Sequence, residues 1–70
     1  PREDEAEREL VERAREEQWN LERLEREYIL MTLEATDGHQ SNAAEILGVD
    51  RRTIYRKLKQ YREEGILPED

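Results

Sequence analysis

The chain contains no cysteine, no phenylalanine and a single histidine. Without thiols there is no disulfide framework, thiolate zinc site or cysteine nucleophile, and thiol redox chemistry is excluded. His39 has no second histidine to share a metal or a proton relay with, so it reads as a solvated loop residue and no metal is expected. Carboxylates are plentiful, but they fall on exposed helical spacings, and Ser41 has no base beside it in sequence. No enzyme, cofactor or small-molecule substrate is therefore expected. Only three glycines and two prolines interrupt the chain, and no alternating apolar/polar run is present, so strands are not expected. The longest apolar run, Tyr28 to Leu33, is broken by Thr32 and is far short of the roughly 20 residues a membrane span needs. The expectation is a soluble, cytoplasmic protein with no membrane partner. The chain opens on Pro1 with neither an initiator methionine nor a signal-peptide pattern, which reads as an excised or engineered segment with domains missing upstream.

What is present is charge. Of 70 residues, 44% are charged and 34% apolar, a mixture that suits one small all-α domain. The net charge of −7 is unevenly spread. Residues 1–40 carry six basic and thirteen acidic groups, whereas residues 41–60 carry five basic and two acidic. Six of the 12 basic residues (Arg51, Arg52, Arg56, Lys57, Lys59 and Arg62) fall within 51–62, a window without Asp or Glu. A cationic helix inside an acidic chain needs its own explanation.

Residues 1–19 form an acidic helical segment or linker whose few apolar residues cannot build a core. Asn20 is placed to cap a new helix, with Trp19 and Leu24 as a hydrophobic staple. One unbroken helix over residues 3–36 is the alternative reading. A helix over 21–36 ends at Asp37-Gly38, where a left-handed cap is tolerated. A short helix over 42–47, capped by Ser41 or Asn42, leads to a turn at Gly48-Val49. Asp50 then caps a helix over 51–64, stopped by Gly65, with Ile66 folding back on it. Residues 20–67 form the domain and 68–70 a tail.

The helix 21–36 bears two apolar stripes. Ile29, Leu30 and Leu33 can cover the helices that follow. Leu21, Leu24, Tyr28 and Met31, with Ala35, are left over, and the same helix of a second copy is the simplest cover, which predicts a symmetric homodimer. The spacing of that stripe continues to Ala14 and Leu10 if the helix is unbroken, as in a coiled coil. The alternative is that both stripes are internal core.

On the last helix Ile54, Leu58 and Tyr61 share one face, and Arg52, Arg56 and Lys59, beside Tyr55, take the opposite one. Arg51, Lys57 and Arg62 flank the cationic face. Guanidinium forks suit phosphates and the guanine edge, Thr53 and Tyr55 add hydroxyls, and a face of one sign points to nucleic acid. The preceding Ala43-Ala44-Glu45-Ile46-Leu47-Gly48-Val49-Asp50 has the parts of a helix-turn-helix. Ala44 is small where two helices meet, Gly48 makes the turn, and Val49 and Ile54 fill the wedge.

Residues from about Leu21 to Tyr61 resemble the Fis-type helix-turn-helix domain at the C-terminus of sigma-54-dependent bacterial transcription activators and related response regulators. The resemblance rests on Leu21-Glu22-x-Leu24-Glu25-Arg26-x-Tyr28-Ile29, Leu33-Glu34-Ala35-Thr36-x-Gly38, Ser41 to Val49, and Arg51 to Leu58. It implies a homodimer that binds double-stranded DNA in transcription regulation, its last helix entering the major groove at each half of an inverted repeat. Arg51, Arg52, Tyr55 and Arg56 would then face the groove, with Thr53, Lys57 and the Gln40/Ser41/Asn42 turn on phosphates. Helical geometry alone had Arg51 at the flank, and both roles stay open to it. Where this chain has Gly38-His39-Gln40 the family often carries Gly-Asn-Lys, and its tail after Tyr61 is longer than usual. Residues 1–19 match no pattern of that family. They resemble either a designed helix or a helical linker from an upstream domain, and an engineered helical interaction scaffold built on this fold is the rival to DNA binding.

Overall fold

A computed structural model describes residues 3–68 of the chain; the outermost residues of the expected N-terminal segment and of the tail, 1–2 and 69–70, lie outside them. The architecture is all-α: α1 (Glu3–Glu16), α2 (Leu21–Ala35), α3 (Gln40–Leu47) and α4 (Arg51–Glu63), with no strand among the described residues.

Each helix ends in the same way, and the ends determine the path of the chain. In α1 the Trp19 N–H donates to Ala14 O at 2.9 Å and the Gln18 N–H to Arg15 O at 3.3 Å, the paired bonds of a Schellman cap. The cap requires a left-handed residue, here Gln18 at φ 54°. This cap decides between the two readings of residues 3–36. A single helix would be about 50 Å long, whereas the longest dimension of the molecule is 30 Å. Asn20 begins α2 as expected, its Oδ1 accepting from the Arg23 N–H at 2.8 Å.

Trp19 does not act as a simple staple. Its ring lies between two guanidinium groups, Arg13 at 5.5 Å and Arg23 at 4.5 Å from the centroid. Its Nε1–H donates to Glu17 Oε1 at 3.0 Å, and that carboxylate also pairs with Arg13 at 3.6 Å and Arg23 at 3.4 Å. The Trp19 indole Nε1–H first, and the two arginines after it, hold the Glu17 carboxyl below the usual carboxylate range. A polar clasp around an indole thus fixes the four-residue connection between α1 and α2.

A non-glycine residue in the left-handed region costs about 1 kcal/mol or more. Gln18→Gly is therefore expected to raise the unfolding free energy by about 1 kcal/mol, read as an upward shift of the urea midpoint at constant slope. A lower midpoint would mean that the glutamine side chain contributes something the backbone argument omits.

α2 ends on Asp37, the left-handed C′ residue at φ 55°, and Gly38 follows at φ 80° with its N–H on Leu33 O at 2.8 Å. The stop expected at Gly38 thus falls one residue earlier. α3 starts at Gln40, with His39 as its cap residue and no side-chain cap bond, so neither Ser41 nor Asn42 caps it. Both are already inside its first turn, because Ala43 N–H bonds His39 O at 3.0 Å. Gly48, left-handed at φ 73°, closes α3, and Asp50 caps α4 by accepting the Arg52 N–H at 2.8 Å.

The core consists of Ile29 and Leu33 from α2, Ala43 and Ala44 from α3, and Ile54, Leu58 and Tyr61 from α4. Leu30, Leu47 and Leu67 pack against it. Ala43 and Ala44 let α3 cross close to α4, and Ile54, completely buried, fills the wedge between them. Val49, expected to share that task, is 42% exposed. The turn between the two caps is too short to carry it inward, and Ile54 occupies the space alone. Ile66 likewise returns to α4 only through its backbone, whose N–H bonds Tyr61 O at 2.9 Å. Its side chain is exposed, and Leu67 takes the place at the core. Thr32 is buried because its hydroxyl donates within the helix, to Tyr28 O at 2.8 Å.

α1 contributes nothing to this core. It folds back beside α2, where Ala6 and Leu10 line an open trough together with Leu30 and Met31. Leu24 and Met31 become half-buried, while Leu21 stays 83% exposed. An open apolar groove remains beside α1, lined by Leu10, Val11, Leu21, Leu24 and Tyr28.

Candidate nucleic-acid interface

α4 is divided lengthwise by its sequence. Every third or fourth residue from Ile54 (then Leu58 and Tyr61) is buried, and the residues between include Arg56, Lys57 and Lys59. Burial among apolar neighbours pushes the Tyr61 phenol above its ordinary pKa, which fits its place in the core. The opposite face presents Arg51, Arg52, Tyr55, Arg56 and Lys59 to solvent. Arg51, Arg52, Tyr55 and Arg56 line one shallow concavity at the start of the helix. Among the described residues no carboxylate lies within 4.0 Å of the side-chain cations of Arg51, Arg52, Arg56 or Lys59. Their charge is not used to hold the fold together.

The remaining expected contacts occupy other positions. Thr53 is half-buried on the flank, where its Oγ1 is 3.5 Å from Arg56 Nη2. Gln40, Ser41 and Asn42 form the first turn of α3, with Ser41 and Asn42 exposed. The N–H groups of a first turn have no partner within their helix and are free for an anion. Lys57 points away from the concavity. Its Nζ donates to Glu25 Oε2 on α2 at 2.7 Å, and this bond raises the ammonium pKa above its ordinary value. Sequence reasoning missed Glu25, which is 32 positions from its partner. His39 is exposed, and no group of three or more metal-ligating side chains occurs among the described residues. No described helix is long and apolar enough to cross a membrane.

Comparison with known proteins agrees with this geometry. A family model described as bacterial regulatory protein, Fis family, matches residues 20–61, from the cap of α2 to the last buried residue of α4. The propane 2-monooxygenase operon transcriptional activator MimR of Mycolicibacterium goodii is 49% identical over 41 residues, which is 59% of this chain and 7% of that protein. The protein of the same description in Mycolicibacterium smegmatis is 46% identical over 41 residues, with the same coverage of 59% and 7%. The chain thus spans a small fraction of the length of these relatives. No solved structure matches it. The segment that matches contains α2, α3, α4 up to Tyr61 and every buried residue of the core, and by it the chain belongs to the Fis family of bacterial regulatory proteins.

Proposed function

We propose that the chain binds double-stranded DNA in a sequence-specific manner and serves in transcription regulation, as the DNA-binding part of a sigma-54-type activator or response regulator in the bacterial cytoplasm. The observation that carries this reading is the unpaired, single-sign face of α4 on a helix whose other face is core. Arg51, Arg52, Tyr55 and Arg56 enter the major groove and read base edges. Lys59, Thr53, Lys57 and the first turn of α3 at Gln40, Ser41 and Asn42 meet phosphates. MimR is described as a transcriptional activator, which accords with this role. The reading assigns no chemistry to the domain and makes it a binding module, not an enzyme. An interaction scaffold built on the same fold leaves the bare arginines of α4 without a purpose.

The active form is a homodimer. The open groove formed by Leu10, Val11, Leu21, Leu24 and Tyr28 is the face a second copy covers. The α1 helix therefore contributes to the interface, and half-buried Met31 adjoins it in the trough between α1 and α2. Two copies would place their α4 helices about 34 Å apart, on an approximate inverted repeat with half-sites one helical turn apart. Selection from a pool of random duplexes at near-physiological salt tests the whole reading. Enrichment of an inverted repeat is the expected result, and retention without enrichment would overturn sequence-specific binding. Leu21→Glu places a charge in the groove without disturbing the core. It should give monomers by light scattering and weaken binding to the repeat by about a hundredfold through lost bivalency. An unchanged mass would show that this face is not the interface.

A further inference from the structure

Lys57 is the one cation of α4 that α2 holds back. Its Nζ lies 2.7 Å from Glu25 Oε2, the only ion pair between the two helices among the described residues. Glu22, one turn earlier on α2, also favours the charged ammonium. The stem of Lys57, with Thr53, Arg56 and Gln60, lines a shallow trough along the flank of α4. Arg56 Nη2 lies 3.5 Å from Thr53 Oγ1 on that flank, and the Gln60 carboxamide donates to Glu64 Oε2 at 3.2 Å; a DNA phosphate entering beside Thr53 would complete its contacts with the ammonium.

We propose that Glu25 is a positioning residue that stands in for a DNA phosphate. In the free protein its carboxylate holds the Lys57 ammonium at the α2 side of the trough. When α4 enters the groove, a backbone phosphate takes the ammonium and Glu25 is released to water. Both side chains are partly exposed, at 32% for Lys57 and 51% for Glu25, so the exchange is a swap of ion pairs in solvent. Glu25 thereby lowers the affinity of the flank for any duplex without touching DNA itself. The inference rests on the DNA-binding reading.

The test is a set of variants of the full chain measured on one duplex of arbitrary sequence. Glu25→Gln should tighten binding by up to about fivefold, the range of an exposed ion pair. Glu34→Gln removes an equal charge from the same helix at an exposed position away from Lys57, and should change affinity by much less. In a Lys57→Ala background the advantage of Glu25→Gln over Glu34→Gln should vanish, because Glu25 acts through Lys57. Independently of DNA, Glu25→Gln should lower the pKa of the Lys57 ammonium followed by NMR. Equal effects of the two glutamines, or an advantage that survives Lys57→Ala, would overturn the assignment and leave only net charge. Absence of binding by the parent chain to any duplex would instead overturn the DNA-binding reading itself.

Discussion

Replacing Ile54 by alanine should cost about 2–5 kcal/mol of stability, the range for truncating a fully enclosed aliphatic side chain. Ile54 is completely buried, and among the described residues it is the largest side chain of which this is true. The buried residues that α3 places in the same core are Ala43 and Ala44. Neither has a rotamer that can swing into a vacated space, so the cavity would stay open instead of collapsing. A domain of 70 residues is expected to hold only about 4–10 kcal/mol in total. The truncation therefore removes a large share of it, and a substantial unfolded fraction is expected at 37 °C. Urea denaturation followed by helical circular dichroism, with Ile54→Val as a milder reference at about 1 kcal/mol, measures the loss. A cost below 1 kcal/mol would mean that α3 can slide into the gap and that the two alanines are not what sets its distance from α4.

The second large effect is on binding. Arg52→Ala and Arg56→Ala should each weaken the preferred duplex by about 1–3 kcal/mol and relax preference at one base pair. Neither arginine is buried or in an ion pair, so folding should be unaffected and the loss is read directly on DNA. Lys57→Ala should act differently, weakening all sequences alike and lowering the slope of log affinity against log salt by about one. Its effect on affinity should also be the smaller, because Glu25 already competes for the ammonium. Repeating the random-pool selection with each variant separates these outcomes. The same preferred sequence at the same stringency for Arg52→Ala and Arg56→Ala would show that they hold phosphates and that the readers lie elsewhere.

Much of this domain is written in short-range chemistry, which a sequence displays openly. Asn20, Gly48, Asp50 and Gly65 stand at helix ends because caps need a side-chain acceptor or a left-handed residue. The buried face of α4 and its cationic face follow from period 3.6 alone, and both are where the pattern puts them. What could not be read depends on geometry between elements. Asn20 marks the start of a new helix, but Gln18 has no intrinsic preference for the left-handed region, so the reversal of the chain before that cap is not visible in the sequence. That reversal rests on Trp19 being held by Arg13 and Arg23, which meet only after the chain has turned. Ser41 and Asn42 are good capping types, but the Schellman turn at Asp37 delivers the chain into α3 two residues before them. Val49 was misplaced because a turn of so few residues dictates its own side-chain directions. The Glu25–Lys57 pair left no trace at all, since two charges 32 residues apart look like any others until α4 crosses α2.

The boundary of the core at Ile29 has a consequence for how such a domain is passed between proteins. The buried core contacts of α4 lie between Ile29 and Tyr61, with the Leu67 side chain closing the end, and α1 supplies none of them. Such a unit is portable: its front can be exchanged for a different sensor, motor or linker without altering the angle at which its arginines are presented. The 41-residue match to relatives of which it makes up 7% is what portability looks like across a family. In this chain the exchangeable position is filled by an acidic helix, folded back and fastened by a single tryptophan.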